Sequence, residues 1–273
     1  MIRPLPDLLR AGDAIRARGG ELGRPLHVLG ETTSTSDEAK HAAKGGAPHG
    51  STWVAESQLA GRGRQGRGWF ASPGESLLFS VLLRLRCPPA RLPQLALVAG
   101  LAVRDAIGGP ALLKWPNDVV VRGSEPGGPS LKKLAGILVE TTMVGHVVEA
   151  LVVGIGINVH TRHFPDDIAA RASSVALVAA PGNAAPPDRA ELLADVLARL
   201  DRDAHLVAAR GLGIVHARLL AADALRGERV SSEQGEGVAE GVDAEGRLLV
   251  RQDDGEIAKW SAGEVHLARP RRG

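Results

Sequence analysis

Gly61-Arg62-Gly63-Arg64-Gln65-Gly66-Arg67-Gly68-Trp69 sets three guanidinium groups among four glycines. Arginine presents a planar, permanently charged fork that matches phosphate and carboxylate oxygens. Glycine lets backbone approach a ligand closely. The segment can therefore wrap an anion, with phosphate the first candidate. Taken alone it also fits a solvated turn or a basic RNA-binding tail. Its flanks favour a folded setting: residues 51–55 and 76–83 are both strand-like, so a loop between two strands is expected.

Three more segments carry chemistry. In Lys114-Trp115-Pro116-Asn117-Asp118, ahead of Val119-Val120-Val121, Pro116 steers Trp115 away from the α region. Lys114 and Asp118 then sit on a bend where side chains can converge on a ligand. An ordinary turn, with Asn and Asp bonded to their own backbone, fits the same residues. Residues 134–139 are apolar on both alternating faces, as in a buried strand. A period of two places Lys133 on the face of Ala135, Ile137 and Val139, where an ammonium needs a partner. A structural carboxylate or a substrate oxygen would serve, and Gly136 inside the strand fits close approach by a ligand. Gly154 and Gly156, two apart in an apolar strand that ends at Asn158, leave a flat floor for a ligand or a neighbouring helix. Without a third glycine opening a helix they do not make a dinucleotide fingerprint.

In this order and spacing the four segments resemble one family, the biotin protein ligases, and Thr33-Ser34-Thr35-Ser36-Asp37 resembles that family's short biotin-contacting turn. The similarity runs over about residues 26 to 270. It implies an α+β fold: a mixed β-sheet with flanking helices of the class II aminoacyl-tRNA synthetase/biotin ligase type over residues 1–222, then a small SH3-like β-barrel over 223–273. It also implies acyl activation, in which the biotin carboxylate attacks the α-phosphorus of ATP, pyrophosphate leaves, and biotinyl-5′-AMP waits for a lysine amine of a biotin carboxyl carrier protein, the domain of acetyl-CoA carboxylase or a related carboxylase.

The resemblance assigns Ser34, Thr35 and Gln58 to the biotin head group. Arg62, Gly63 and Arg64 become a lid over the biotin carboxyl and the intermediate's phosphate, and Arg67 meets the pyrophosphate portion of ATP. Lys133 contacts both the carboxyl oxygen and the α-phosphate, while Lys114 and Asn117 meet nucleotide phosphates. Asp118 orients Lys114 or the incoming amine. Gly136, Gly156 and Asn158 line the biotin and adenine pockets, with Trp69 on the ATP side. Charge grows on oxygen in both steps, so fixed cations and backbone donors are the useful groups. A lid must keep water from the mixed anhydride. Mg²⁺ is expected with ATP, and no carboxylate cage for it is visible in the sequence. Ser36-Asp37 departs from the family, which often has Asn followed by an uncharged residue. Lipoate or octanoate ligases share the implied chemistry but lack the arginine-glycine loop as a family. A non-enzymatic RNA binder would need interleaved aromatics, and a chain with three Phe, four Trp and no Tyr offers few.

The elements that must hold these residues follow from pattern. The 273 residues suffice for one sizeable core plus a small appendage. The net charge of +2 leaves the positive charge local, at the arginine loop. One cysteine, Cys87, excludes an internal disulfide framework, and no apolar run of membrane-spanning length exists. With no secretion signal in residues 1–20, a cytoplasmic enzyme is expected. Only about 25 residues precede the region of resemblance, too few for the helix-turn-helix of repressor-type members, so no DNA binding is expected. Thr35 and Glu38 have capping-box spacing for a helix ending at Gly45-Gly46. A helix is predicted over residues 90–107, and an amphipathic one over 188–210 packed on the sheet. A hairpin is predicted at residues 143–145 and a mobile turn at 124–129, and residues 261–265 resemble the closing strand of the family's SH3-like domain. His160 and His163 lack a third ligand for zinc. Neither they nor Cys87 receive a role.

Overall fold

The computed structural model describes residues 2–125, 128–144, 147–178 and 187–268. Two short helices, α1 (Pro6–Leu9) and α2 (Ala11–Arg18), lead to β1 (Leu26–Thr32), α3 (Thr35–Lys44), β2 (Thr52–Gln58) and β3 (Ser76–Leu83). Next come α4 (Gln94–Ile107) and a meander of β4 (Leu112–Lys114), β5 (Asp118–Glu125), β6 (Gly128–Val144) and β7 (Val147–Asn158). The short α5 (Asp166–Ala169) and α6 (Val175–Val178) precede the long α7 (Arg189–Arg210) and α8 (His216–Ala222). The strands β8 (Arg229–Ser232), β9 (Gly235–Val242), β10 (Leu248–Arg251), β11 (Ile257–Trp260) and β12 (His266–Leu267) complete the chain.

The first seven strands form one sheet in the order β1-β2-β3-β7-β6-β5-β4. Only β1 and β2 run parallel, joined through α3, so the sheet is mixed and flanked by helices, as expected. The last five strands make a separate antiparallel sheet, consistent with a small SH3-like unit.

One face of the large sheet carries α4, whose Val98, Leu101 and Ala102 are fully buried in the main core. On the other face, Ala39 and Ala43 of α3 pack on Trp53, Leu82, Ala150 and Val152. Along β7 the residues on this second face continue from Val152 to Gly154, Gly156 and Asn158. Side chains vanish at Gly154 and Gly156, so packed core gives way to a bare strip of β7 beneath the N-terminus of α3.

Several expectations change here. The N-cap of α3 is Ser34, and Thr35 and Glu38 form no capping box. Glu38 Oε1 accepts from Thr32 Oγ1 (2.7 Å), and Thr35 is drawn into contacts with β2 and β3. The helix predicted from residue 90 starts at Gln94, because Pro93 takes the N-cap position after a separate 3₁₀ turn, Pro89–Arg91. The amphipathic stripe of α7 packs mainly on α2 and α4, and the helix meets the sheet at β3 and, through Arg189, at Glu56 of β2. β5 and β6 stay paired through Glu125↔Gly128, where the sequence predicts a mobile turn over 124–129, and residues 126–127 lie outside the described residues. β6 and β7 do form a hairpin, paired through Val144↔Val147, with Gly145 outside the described residues. Residues 261–265 are irregular, and β12 closes the small sheet against β8.

Candidate active site

One cross-strand row assembles motifs that are far apart in the chain. Lys114 pairs with Asp118, Asp118 with Gly136, Gly136 with Gly156, and Gly156 with Leu78. Directly opposed residues share a face, so two charged groups at one edge continue into a glycine floor. This floor opens to a cavity of about 520 Å³, within the size range of small-molecule sites.

Lys133 reaches this face through a β-bulge. Val119 opposes Ala135 but Val120 opposes Lys133, which leaves Leu134 as an extra residue in β6. The bulge reverses the alternation, so Lys133 does not share the buried face of Ala135 and Ile137 as the period of two predicts. Its backbone is held by the segment after α5: Lys133 N–H donates to Arg171 O (2.8 Å) and Ser173 N–H donates to Lys133 O (2.9 Å). Its Nζ lies 2.7 Å from Asp118 Oδ1 and 5.5 Å from the centroid of the Trp69 ring. Asp118 therefore pairs with Lys133, where the resemblance has it orienting Lys114 or the incoming amine. Burial pushes the Lys114 ammonium below its ordinary pKa, against the pull of Asp118 and Glu264 and with help from the like charges of Lys133 and Arg67.

Trp69 covers the floor. A Cβ on Gly156 would come within 2.7 Å of its indole and one on Gly136 within 2.9 Å, so only glycine admits the ring here. Trp115 is a buried wall residue whose Nε1–H donates to Gly246 O (2.9 Å), tying the two sheets together.

The arginine loop lies between β2 and β3, as expected, and is itself a small hairpin. Arg62 bridges Gly68, Trp69 N–H donates to Gly61 O, and the chain reverses through left-handed Gln65 (φ 58°) and Gly66 (φ 70°). Each guanidinium has a different anchor. Arg62 pairs with Asp37 on α3, and Arg64 donates to Asn117 Oδ1 (3.2 Å) and Gly263 O (3.4 Å). Arg67 pairs with Glu264 (2.6 Å) from the irregular segment between β11 and β12. Burial would raise the Asp37 carboxyl, but Arg62 and Lys40 hold it below the usual range. The ion pairs of Arg62 and Arg67 are well exposed, so each is worth only about 0–1 kcal/mol and is easily exchanged for a ligand anion.

The remaining predicted residues also line this cavity: Ser34, Thr35 and Gln58 at the end under α3, Gly63 in the loop, and Asn158 at the end of β7. Asn158 Nδ2 donates to Ser173 O (3.0 Å), which braces the segment that holds Lys133. Sequence reasoning left out Ser36, Glu264 and Arg171, which line it too. The hydroxyl run from Ser34 to Ser36 was a signal for the first. Nothing local marks Glu264, which arrives from 197 positions beyond Arg67.

Residues 29–158 match the biotin/lipoate A/B protein ligase family, and residues 227–267 match the biotin protein ligase C-terminal domain. The chain is 35% identical over 239 residues to the biotin–[acetyl-CoA-carboxylase] ligase of Paracoccus denitrificans, an alignment covering 82% of this chain and 93% of that protein. It belongs to the biotin protein ligase family. Its fold superimposes on the biotin protein ligase of Aquifex aeolicus in complex with biotin and ATP, with a TM-score of 0.73, 32% identity, and coverage of 90% of this chain and 99% of that one. Against the bifunctional ligase/repressor BirA of Bacillus subtilis the identity is 35% over 164 residues, 58% of this chain and 48% of that protein.

A second cluster lies away from the cavity: Glu21, His49 and His205 have donor atoms within 4.8 Å of one another. His49 Nδ1 accepts the Arg84 backbone N–H (3.0 Å), which leaves the ring proton on Nε2. That nitrogen then has no lone pair to offer a metal. His160 and His163 join no metal-ligand group among the described residues.

Proposed function

We propose that this biotin protein ligase family member activates biotin with ATP as biotinyl-5′-AMP and transfers the biotinyl group to a lysine of a biotin carboxyl carrier protein. The observation that carries this reading is the row from Lys114 through Asp118 and Gly136 to Gly156, with the bulge setting Lys133 beside it and the arginine loop above. In the first step a biotin carboxylate oxygen bonds to the α-phosphorus and the bond to pyrophosphate breaks. Lys133 lies where negative charge grows on the carboxyl and α-phosphate oxygens, and Lys114, Asn117 and Arg67 face the departing phosphates. In the second step a neutral lysine amine attacks the acyl carbon and AMP leaves. Asp118 is the carboxylate at hand to hold that amine.

Arg62, Gly63 and Arg64 close over the acyl phosphate, and Trp69 walls the floor against water. Ser34, Thr35 and Gln58 hold the biotin head group, and Asn158 borders the adenine side. The carboxylates lining the cavity are Asp118 and Glu264, each already paired with a cation. Mg²⁺ therefore fits best as an ion carried by the ATP phosphates, neutralising their charge. The catalytic unit extends to about residue 222, where α8 ends before the small sheet, and the cytoplasm is the proposed compartment. Among the described residues no helix is long and apolar enough to cross a membrane.

Biotin-dependent exchange of labelled pyrophosphate into ATP tests the first step. Exchange with biotin and none with lipoate or octanoate is expected. Exchange supported by lipoate instead, or absence of exchange together with salt-dependent RNA binding, would replace this reading.

A further inference from the structure

The hydrogen bonds at the closed end of the cavity have a forced direction. The backbone N–H of Thr35 meets Gln58 Oε1 at 2.7 Å, and only the amide oxygen can accept it. Gln58 therefore holds its oxygen toward α3 and keeps Nε2 as a donor. Thr35 Oγ1 also gives its single proton to Oε1 (3.0 Å). With that proton used, Ser80 must be the donor in its 2.8 Å bond to Thr35 Oγ1. Ser36 must in turn be the donor in its 3.0 Å bond to Ser80 Oγ. Thr35, Ser36 and Gln58 line the cavity, while Ser80 is fully buried behind them. Gly154 leaves the room for this chain, since a Cβ there would come within 2.7 Å of Ser36 Oγ.

We infer that Ser80 is a positioning residue that sets the polarity of this wall: through it Ser36 is committed as an acceptor beside Thr35, whose proton Gln58 Oε1 already takes, while Gln58 presents its N–H₂. One donor beside acceptor lone pairs is the complement of a cyclic urea, whose carbonyl is flanked by two N–H groups. The assignment rests on the proposed biotin chemistry, and it adds a residue that touches no ligand. In Ser80→Ala the Ser36 hydroxyl loses its acceptor, its proton is free to turn into the cavity, and the wall no longer favours a ligand N–H.

The test measures Kd by calorimetry for biotin and for its cyclic carbonate analogue, which keeps the carbonyl and lacks both N–H groups. Ser80→Ala should weaken biotin roughly tenfold, the scale of one buried polar group left unsatisfied, and leave the carbonate unchanged or slightly tighter. Ser80→Thr, which keeps the hydroxyl, should restore the biotin-to-carbonate preference. Equal weakening of both ligands, or no change in either, overturns the assignment. If the wild-type protein binds no biotin, the functional reading fails separately. The chain is then tested in the ligand-free protein by NMR: the Ser36 hydroxyl proton should exchange slowly with solvent and faster in Ser80→Ala, and fast exchange in the wild type would refute it.

Discussion

Replacing Lys133 with alanine separates catalysis from stability. In the folded protein Nζ makes one 2.7 Å ion pair with Asp118 and a cation–π contact at 5.5 Å with Trp69. Both partners of the ion pair keep water contact, at 36% and 22% side-chain exposure. Such a pair is worth about 0–1 kcal/mol, and the ring contact adds about 0.5–1 kcal/mol. The substitution should therefore cost less than about 2 kcal/mol of stability. Removing a donor that meets growing charge on oxygen costs about 10² to 10³ in rate, or ~2.7–4 kcal/mol of barrier. The assay is biotin-dependent ATP–pyrophosphate exchange at saturating substrates, beside a urea unfolding curve on the same preparation. The reasoning is refuted if the folded variant exchanges at the wild-type rate, or if its lost activity merely tracks an unfolded fraction.

Other perturbations follow from the same geometry. In Gly156→Ala the new methyl would lie within 2.7–3.0 Å of the Trp69 indole, so the ring must leave the floor; biotin affinity should fall at least about tenfold with little change in melting temperature, read by calorimetry and thermal unfolding. Lys114 is held below its ordinary pKa mainly by burial, so the folded state releases its proton before the unfolded chain does. Activity that needs the ammonium should decline as pH rises through that lowered value, and Lys114→Arg should shift the alkaline limb of the exchange profile upward.

Arg189 is fully buried and pairs with Glu56 (2.8 Å) and Asp7 (2.7 Å). Burial alone would raise both carboxyls, but the guanidinium holds them below their ordinary values of 4.5 and 3.8. Their contribution is thus fully present above about pH 4.5 and is lost as pH falls through the lowered values. Arg189→Met should cost about 3–5 kcal/mol at neutral pH by leaving buried carboxylates unpaired, and urea midpoints should show this deficit shrinking on acidification. Glu264→Gln frees Arg67 from the β11–β12 connection; pyrophosphate should then bind up to about fivefold tighter, and unchanged binding would show that this pair does not compete with the ligand.

Much of the site could be read from residue types. Arginine among glycines, paired glycines in a strand and a Lys-Trp-Pro-Asn-Asp bend each carry a local physical meaning, and all of them line the one cavity. The errors came where a neighbour outvoted a local rule. Thr35 and Glu38 had the spacing of a capping box, yet the Thr35 hydroxyl found Gln58 and Ser80 instead. Residues 261–265 resemble the closing strand of the family's small domain, but they stay irregular where Glu264 meets the arginine loop.

The amino-acid order alone determined which groups are available: three loop cations, two lysines, an aspartate, and glycines spaced to leave one strand face bare. That much follows because backbone freedom, charge and period-two alternation are properties of a few consecutive residues. Only the tertiary structure decided where those groups point. One extra residue at Leu134 turns Lys133 from the core face to the cavity. Cross-strand pairing lines up Lys114, Asp118, Gly136 and Gly156, and the direction of the hydroxyl chain, set at Gln58, reaches Ser36 through Ser80, 44 positions away. Register and long-range hydrogen bonds are set by partners distant in the chain, and no local pattern encodes them.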